Sequence, residues 1–417
     1  MRYTINIFIL FLLTVSLHAQ VSDSDDLIVK IAVFGPGDKI YAWWGHITLI
    51  IDDKNTGRST SYDFGIFSDE NRFFKNIISG RLIYTCEALP AKNNINWYID
   101  LHCDVTLYTL NLAPDKKEEI RQLAEISVLP ENRDYFYRFL RDNCTTRIRD
   151  IIDIAAGGQF MERFINETSR YTLRQHVRRH TWFSPFIDWV FGFFIGRDND
   201  RKVTVWEAMF LPSELENCIN SFFYTDEHGI PRKLVSDIEI VYRPQNNFAV
   251  PVPRKLWPQG FAASIITAFI LVLLLLAQAK PPAAQLTLGI VHSLFGLLFG
   301  GTGLLLFFMS FFTDHDYTYH NINLLFCNPL LLAAVPFGIM YAATTENKKR
   351  LFAELSLRTI WFLVILGLII SILIKLLPMF RQENFKYQIV MLPIAVALSL
   401  GTSGLKKVMQ CIFQLIT

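Results

Sequence analysis

Apolar and polar positions divide the 417-residue chain into two parts with different periodicities. In the first part, short apolar runs with alternating or β-branched residues predict five strands, at 27–34, 45–51, 60–64, 81–87 and 105–111. A helix is predicted over 114–129, with acidic residues in its first turn and Pro130 after it, and a shorter helix over 136–140. This part is therefore predicted to be an α+β domain with an antiparallel sheet.

Beyond Pro251, Pro253 and Pro258 the pattern changes to long apolar runs. Five of them predict transmembrane helices, at 260–279, 286–312, 324–343, 359–377 and 389–400. The last run is short unless it extends to Leu405. The expected organisation is a soluble domain over 20–255 followed by a five-helix transmembrane domain over 256–417.

Basic residues at the ends of these runs predict the orientation. Lys280, the cluster 348–350 with Arg358, and the pair 406–407 lie where cytoplasmic loops are expected from the positive-inside rule. Arg254 and Lys255 oppose it, but a long translocated domain is little affected by such charges. The soluble domain is therefore expected outside the cytoplasm, and the C-terminus inside.

Residues 1–19 resemble a secretory signal peptide, with Arg2 before an apolar core and a small-residue cleavage pattern ending at Ala19. An uncleaved anchor helix is the alternative. The aromatic stretch 181–196 is too short to span a membrane comfortably. It predicts either a buried element of the soluble domain or a segment that lies in the lipid interface.

The composition and charge of the chain argue against nucleic-acid binding and against a metal site. Net charge is +2, and no basic stripe with interleaved aromatics suggests nucleic-acid binding. The six cysteines contain no Cys-x-x-Cys pair, so neither a metal site nor another cofactor is predicted. Cys86 and Cys103 are free to pair or not, and Cys327 and Cys411 are expected to be packing residues in or beside membrane segments.

The segment 142–150, Asp-Asn-Cys-Thr-Thr-Arg-Ile-Arg-Asp, carries the candidate chemistry. It places Cys144 at the predicted start of a helix that Asn143 or Thr145 can cap, with arginines close by. A cysteine in such a setting is an activated nucleophile. His46, at the start of a predicted strand, is the expected base.

Other polar residues are assigned supporting roles. Asp63 is the candidate for orienting His46, and the alternative is a turn-capping role beside Gly65. Asn143 and the Tyr41 hydroxyl are candidates for an oxyanion hole with the Cys144 backbone N–H. Arg147 and Arg149 are expected either to receive a lipid phosphate or to pair with neighbouring aspartates.

The loop 313–323 is expected on the same side of the membrane as the soluble domain. It carries His315, His320 and Asn323 among other polar residues. It is either an ordinary polar loop or the floor of the site, where these three residues contact substrate headgroups.

The order of histidine first and cysteine later is the reverse of papain-like enzymes. It resembles circularly permuted papain-like proteins, such as the lecithin retinol acyltransferase group and NlpC-type relatives. More closely, the chain from about residue 28 onward resembles the Lnb family of Bacteroidota, the lipoprotein N-acyltransferases. The matching segments are 44–46, 62–67, 79–84, 138–150, 210–212 and the loop from 314 to 323.

This resemblance implies a multi-pass protein of the bacterial inner membrane with a periplasmic catalytic domain. An acyl chain would move from a phospholipid through a Cys144 thioester to the N-terminal amine of a diacylglyceryl-cysteine lipoprotein. Two alternatives remain: a membrane-tethered cysteine hydrolase or amidase acting on cell-wall peptides, and a non-enzymatic envelope scaffold. The hydrolase shares the cysteine and histidine, and only the character of the cleft distinguishes it.

Overall fold

The structure, a computed structural model, describes residues 26–67, 73–244, 252–253, 255, 257–277 and 282–416. The predicted signal peptide and the side chain of Cys411 lie outside this description. The described part is a sheet domain followed by a helical region, so the predicted α+β fold class is confirmed.

Seven strands form one antiparallel sheet. Along the chain they are β1 (Leu27–Phe34), β2 (His46–Asp53), β3 (Arg58–Phe67), β4 (Ile83–Pro90), β5 (Val105–Leu110), β6 (Asp134–Phe136) and β9 (Val235–Tyr242). Their spatial order is β6-β4-β3-β2-β1-β5-β9, and the short strands β7 (Phe223–Thr225) and β8 (Pro231–Lys233) form a separate hairpin. All five predicted strands are present within a few residues of their expected bounds.

Helices of the sheet domain cover both faces of the sheet. They are α1 (Phe73–Ser79), α2 (Ala91–Asp100), α3 (Pro114–Ser127), α4 (Cys144–Ala155), α5 (Gln159–Phe164), α6 (Leu173–Arg179), α7 (Pro185–Phe194), α8 (Val205–Ala208) and α9 (Pro212–Ser221). Alternate residues of β1 show why both faces are covered: Ile31 packs in one core cluster, and Ala32 packs in another. A central strand buried on both sides needs apolar residues at nearly every position, and this strand has them at all positions except Lys30.

One predicted helix is wrong. Residues 136–140 do not form a helix, because Asp134–Phe136 adds to the sheet edge as β6, paired with β4. The chain then makes a tight turn that closes with a bridge between Arg138 and Asp142. The pairing of Cys86 with Cys103, which the sequence left open, is not formed: both thiols are free, and they lie in different core clusters.

The helical region contains α10 (Trp257–Ala277), α11 (Pro282–Phe312), α12 (Ala334–Ala343), α13 (Asn347–Leu373) and α14 (Phe385–Ile416). Among the described residues, four segments are long and apolar enough to cross a membrane: Trp257–Leu276, Ala283–Phe312, Ile322–Ala343 and Asn347–Leu376. The fifth predicted span is a helix, but its apolar part, Phe385–Leu400, is shorter. The count of five therefore stays a prediction.

The third of these segments is not a continuous α-helix. Residues Ile322–Leu325 and Pro329–Ala333 form 3-10 turns before α12 begins. The Asn328 side chain accepts a hydrogen bond from the Leu330 N–H, 3.1 Å away, so part of the irregular backbone is satisfied internally. Such breaks at membrane depth require protein partners, because lipid supplies none.

The loop after α11 docks against the sheet domain. The Asp314 N–H donates to the Ser79 carbonyl at 2.8 Å, and Arg81 Nε lies 2.5 Å from Asp314 Oδ2. Gly80 has a φ of 71°, and a Cβ there would lie 2.6 Å from the backbone nitrogen of His315. A glycine is needed at this position both for its backbone conformation and for the close approach. The loop is therefore on the side of the membrane bundle that faces the sheet domain, as the sequence predicts.

A buried arginine fastens the second part of the sheet domain to the bundle. Arg174 is 1% exposed, and its Nε and Nη2 donate to the two carboxylate oxygens of Asp200 at 2.6 and 2.8 Å. It also donates to the carbonyls of Gly192, Ile195 and Gly196. Asp200 in turn accepts from the Glu383 N–H, at 3.0 Å, next to the start of α14.

The aromatic stretch around α7 lies at this junction. Asp188 on α7 is buried and accepts from Arg178 Nε at 2.9 Å and from Lys386 Nζ on α14 at 2.8 Å. Trp189 packs against the core of the membrane bundle, while Phe186 is 74% exposed. The segment is thus a helix that joins the two parts and leaves one aromatic side chain uncovered.

Replacing Arg174 with methionine should destabilise the protein by about 3–5 kcal/mol, because it leaves the Asp200 carboxylate buried without its arginine partner. The measurement is the melting temperature of the purified full chain in detergent. Arg163→Met is the matched control: Arg163 pairs with Glu167 at the surface, 58% and 46% exposed, and such pairs contribute about 0–1 kcal/mol. Equal effects of the two substitutions would contradict this account of the junction.

Candidate active site

His46 is fixed at the start of β2 by its neighbours in the sheet. Its backbone lies opposite Phe34 of β1. Its ring stacks on Tyr98, with 5.1 Å between ring centroids and 14° between planes. The side chain is 12% exposed, and Nε2 lies 2.8 Å from Asp63 Oδ1. The other ring nitrogen, Nδ1, therefore remains for a second partner.

Asp63 lies on the adjacent strand β3 and is 1% exposed. Its Oδ1 also accepts from the Gly65 N–H at 2.7 Å, and its Oδ2 accepts from Asn94 Nδ2 at 2.9 Å. The Asn94 Oδ1 accepts in turn from Ser61 at 3.3 Å. The carboxylate is thus held on both oxygens. Asp63 combines the two roles that the sequence left open, since it contacts His46 and also caps the turn at Gly65.

Gly65 leaves room for the imidazole. A Cβ at this position would collide with His46 Cε1 and lie 2.9 Å from Nε2. The β3–β4 register also shifts between Asp63 and Ile66. The irregularity brings the Gly65 N–H onto the Asp63 carboxylate, so the Tyr-Asp-Phe-Gly sequence is a structural requirement of the histidine site.

Cys144 is the first residue of α4, and it is 6% exposed. The Asn143 Oδ1 caps this helix by accepting from the N–H groups of Thr145 and Thr146, at 2.9 and 3.0 Å. The Thr146 hydroxyl accepts from the Asn143 N–H at 2.8 Å, which completes a capping box. The N–H of Cys144 has no partner within the helix, because it belongs to the first turn. The thiol therefore lies beside an unsatisfied backbone donor at a positive helix end.

The titration behaviour of His46 and Asp63 follows from their contacts. Burial lowers the pKa of His46, but Asp63 and Cys144, through their charges and hydrogen bonds, raise it well above its usual 6.5. Burial raises the pKa of Asp63, and the charge and hydrogen bond of His46, with Asn94 and Gly65, lower it below 3.8. An imidazolium at His46 is therefore stabilised between a carboxylate and the Cys144 sulfur. These three side chains form the candidate catalytic group.

Three other thiols of the sheet domain have a different environment. Burial raises the pKa of Cys86, Cys103 and Cys218 to about 12 in each case. They are packing residues and inert as nucleophiles at neutral pH.

Aromatic side chains lead from Cys144 toward the membrane bundle. Burial, together with the charge of Cys144, raises the pKa of Tyr84 to about 12, which indicates that its phenol is near the sulfur. Tyr84 stacks on Tyr137 at 4.1 Å, Tyr137 contacts Phe139 at 5.2 Å, and Phe139 contacts Tyr317 of the membrane loop at 6.0 Å. We call Tyr84, Tyr137, Phe139 and Tyr317 the aromatic row. Its rings make an unbroken series of contacts from the neighbourhood of the thiol to the membrane loop.

The two candidate phosphate-binding arginines are both paired. Arg147 donates from Nε and Nη2 to the two oxygens of Asp142, at 2.8 and 2.9 Å, and lies over the Tyr135 ring. Arg149 donates to Asp150 and to the Trp206 carbonyl from all three of its guanidinium nitrogens. The structure thus shows the pairing with aspartates that the sequence analysis gave as the alternative.

Asn143 and Tyr41 are placed differently from each other. The Asn143 Nδ2 donates to the carbonyls of Phe139 and Phe210, at 3.0 and 2.9 Å, so its amide is occupied in shaping the start of α4. Tyr41 lies in the 3-10 turn Ile40–Ala42 and is 66% exposed. An oxyanion role for either side chain stays a prediction.

The three loop residues face different surroundings. His315 Nδ1 lies 2.7 Å from the Thr313 hydroxyl, and burial lowers the pKa of this histidine. His320 is exposed and pairs with Asp198 at 2.7 Å. Asn323 is fully buried, donating to the Phe193 carbonyl and accepting from Asn384, at 2.9 and 2.8 Å. His315 and His320 bridge to the sheet domain, whereas Asn323 is committed to packing.

Sequence reasoning missed Asn94 and Tyr98, which hold Asp63 and His46. Both lie on α2 (Ala91–Asp100), a helix that the sequence analysis does not predict. Only its position across the sheet brings it to the site. Among the described residues, no group of three or more histidine, cysteine, aspartate or glutamate side chains is arranged to hold a metal ion.

A second serine–histidine–carboxylate cluster does not have the hydrogen bonds of a catalytic triad. His176 Nε2 lies 3.2 Å from the Ser169 hydroxyl, and Nδ1 lies 3.6 Å from Glu214. Arg179 Nη1 also lies 3.3 Å from His176 Nδ1. Because a guanidinium only donates, Nδ1 accepts and Nε2 carries the proton, so it cannot serve as a base for Ser169.

Comparison with known proteins identifies the region that contains this site. Residues 18–179 match the family model described as the Lnb N-terminal periplasmic domain. This range includes His46, Asp63 and Cys144. No curated protein and no solved structure matches the chain. Together with the four long apolar helices, this match indicates a membrane protein with a periplasmic domain.

Alkylation of Cys144 should depend on His46 and Asp63. At pH 7 we expect His46→Gln to slow carbamidomethylation of Cys144 by iodoacetamide about tenfold or more, because the thiolate loses its imidazolium partner. The Asp63→Asn substitution should also slow the alkylation of Cys144. The rate is read by mass spectrometry of the Cys144 peptide, with Cys86, Cys103 and Cys218 as internal unreactive thiols.

Asp52→Asn is the control for this series, because Asp52 lies on β2 and pairs with Lys30 at the other end of the strand. It should leave the alkylation rate unchanged. Alkylation that is equally fast in wild type, His46→Gln and Asp63→Asn would show that the thiolate–imidazolium pair does not form.

Stability should depend on pH through the same pair. The pKa of folded His46 is raised, so its contribution is complete below about pH 6.5 and is lost as the pH rises through the raised pKa. That of Asp63 is lowered, so its contribution is present above about pH 3.8 and is lost as the pH falls through the lowered pKa. The melting-temperature difference between wild type and Asp63→Asn should therefore be largest near pH 5–6.5 and shrink at alkaline pH. A difference that grows at alkaline pH would contradict this.

Proposed function

We propose that this chain is a member of the Lnb family, whose N-terminal periplasmic domain model matches residues 18–179, and that it is a lipoprotein N-acyltransferase of the bacterial inner membrane. Membership of this family indicates an enzyme. The observation that carries the finer proposal is the aromatic row, which joins the Cys144–His46–Asp63 group to the membrane loop. A phospholipid acyl chain needs such an apolar surface to reach a nucleophile outside the bilayer.

In the first half-reaction the Cys144 thiolate attacks the ester carbonyl of a phospholipid. The carbonyl electron pair moves to the oxygen, and the Cys144 N–H at the start of α4 donates a hydrogen bond to that oxyanion. The bond to the glycerol oxygen then breaks, and His46 gives its proton to this leaving group. The products are a thioester on Cys144, a lysophospholipid and a neutral imidazole.

In the second half-reaction an amine attacks the thioester. The neutral His46 accepts the proton that the amine loses as the amide bond forms. The carbon–sulfur bond breaks, and the thiolate is restored beside a protonated His46. Asp63 keeps its carboxylate form throughout, since its lowered pKa favours the anion, and it stabilises the imidazolium on each side of the cycle. The proposed amine is the N-terminal α-amino group of a diacylglyceryl-cysteine lipoprotein.

Supporting residues keep this geometry without touching substrate. Asn94 and the Gly65 N–H hold the carboxylate, and Tyr98 holds the imidazole plane. The exposed Phe186 on α7 and the junction with the bundle supply an apolar border at the membrane side. The peptidase-like alternative would need a polar, open cleft in place of the aromatic row.

The test is the intact mass of the N-terminal peptide of a reporter lipoprotein, in cells that lack their own N-acyltransferase. Cells expressing the wild-type chain should add one acyl chain to the α-amine, and cells expressing Cys144→Ser should add none. Cys218→Ala is the matched control, because Cys218 is a buried thiol outside the site; it should behave as wild type.

Acylation by the Cys144→Ser chain would overturn the nucleophile assignment. A well-folded wild-type chain that adds no acyl chain but cleaves cell-wall peptides would replace the transferase by the hydrolase.

A further inference from the structure

The turn immediately before Cys144 carries two arginines whose guanidinium groups remain available. Arg138 is exposed, and Arg141 is 47% exposed with its Nε 3.4 Å from Asp316 Oδ2. Within the described part of the chain, neither guanidinium makes a hydrogen bond to protein. Both lower the pKa of Asp316, against the effect of burial, so both lie near the membrane loop.

This availability separates them from the two arginines that follow the cysteine. Arg147 is bound on two nitrogens to Asp142, and Arg149 is bound on three to Asp150 and Trp206. A guanidinium that is already held in a bidentate carboxylate pair has little left to offer a phosphate. Of the four arginines in 138–149, the two before Cys144 therefore keep open binding groups.

A third arginine faces the same region from the other side of the loop. Arg81 uses only its Nε on Asp314, at 2.5 Å, and its two terminal nitrogens make no hydrogen bond to any residue that the structure describes. It is 65% exposed. Arg81, Arg138 and Arg141 face two carboxylates, those of Asp314 and Asp316, so this cluster retains a net positive charge. We call these three residues the arginine rim.

Two residues of the arginine rim, Arg138 and Arg141, lie in the turn that precedes the Cys144 thiol. Asn143 Nδ2 donates to the Phe139 carbonyl at 3.0 Å, and Phe139 lies between Arg138 and Arg141 in sequence. The same Asn143 caps the helix that begins at Cys144. In a glycerophospholipid the phosphate and the acyl ester are joined by a single glycerol unit, so a phosphate site must lie close to the nucleophile. Arg138 and Arg141 lie in the turn that carries Phe139 of the aromatic row, and Arg81 contacts the same membrane loop through Asp314.

We propose that Arg81, Arg138 and Arg141 bind the phosphodiester of a glycerophospholipid acyl donor and so place its ester over Cys144. This inference rests on the proposed acyl transfer, because the phosphate that these arginines bind belongs to the acyl donor. The three arginines recognise the phosphate and not the rest of the headgroup. Guanidinium groups match phosphate oxygens in geometry and charge, and Asp314 and Asp316 keep two of the three side chains in place.

Binding to the Cys144→Ser full chain in detergent tests the site without turnover. The probes are dihexanoylphosphatidylglycerol, dihexanoylglycerol, which lacks the phosphate, and inorganic phosphate, each titrated by calorimetry. Arg138→Gln and Arg141→Gln should each weaken the phosphate-bearing lipid about tenfold and leave dihexanoylglycerol unchanged. Inorganic phosphate should weaken the binding of the phosphate-bearing lipid to the Cys144→Ser chain. It should no longer do so when both Arg138 and Arg141 are replaced.

Arg133→Gln is the matched control, because Arg133 is exposed on the same segment and lies 3.9 Å from Asp134. It should leave all three affinities unchanged, and all variants should keep the melting temperature of the parent chain. Equal losses for the two lipids, no loss for either, or no measurable binding of the phosphate-bearing lipid would each overturn the phosphate site.

A second measurement separates this inference from the proposed function. The chain with Cys144 intact is incubated with dihexanoylphosphatidylglycerol, and the thioester is followed by intact mass. If no thioester forms but binding still depends on the arginines, the proposed transferase activity is rejected and the phosphate site is retained. A thioester formed with the same KM by wild type and by the Arg138→Gln, Arg141→Gln double variant would remove the phosphate site and leave the transferase.

Discussion

The placement of the sheet domain on the membrane bundle depends on one buried guanidinium. Arg174 lies where a charged group has no access to water, so its hydrogen-bond donors must be met by protein. Asp200 and three carbonyls at the end of α7 meet them, and Asp200 also holds the backbone at the start of α14. Because these contacts are directional, they fix α6, α7 and α14 together more precisely than apolar packing does. The position of the candidate site over the bundle follows from this junction.

The site itself depends on charge that is stabilised away from water. Taken alone, burial disfavours the charged forms of both His46 and Asp63, as their opposite burial effects show. The charges persist because each is the other's partner and because Asn94 and the Gly65 N–H occupy the remaining acceptor positions. A hydrogen-bond chain of this kind is strong only when it is complete. The strand irregularity at Gly65 and the position of α2 are thus parts of the candidate catalytic arrangement, although neither carries a reactive group.

Much of the sheet could be predicted because strands such as 27–34 have an unambiguous apolar pattern. Segment 136–140 could not, since its aromatic run fits a helix or an edge strand equally well, and pairing with β4 decides between them. The Cys144 helix could be predicted, with Asn143 as one of two candidate caps, because capping is local. Asn94 was not, since its contact with Asp63 spans 31 positions and depends on the folded sheet. The pairing of Arg147 with Asp142 was foreseen only as one of two alternatives, because rotamers decide it.

The contact between the turn 138–142 and the membrane loop has a consequence for the depth at which the proposed acyl transfer takes place. The thiol is linked through Asn143 and Phe139 to Tyr317, so its height above the bilayer is set by a chain of short contacts. An acyl chain that reaches this height leaves the hydrocarbon, at a cost of about 0.8 kcal/mol for each methylene exposed to water. In the proposed acyl transfer, the aromatic row would shelter those methylenes over a fixed distance. The length of this sheltered path, and not the strength of the nucleophile, would then set how far a lipid has to rise.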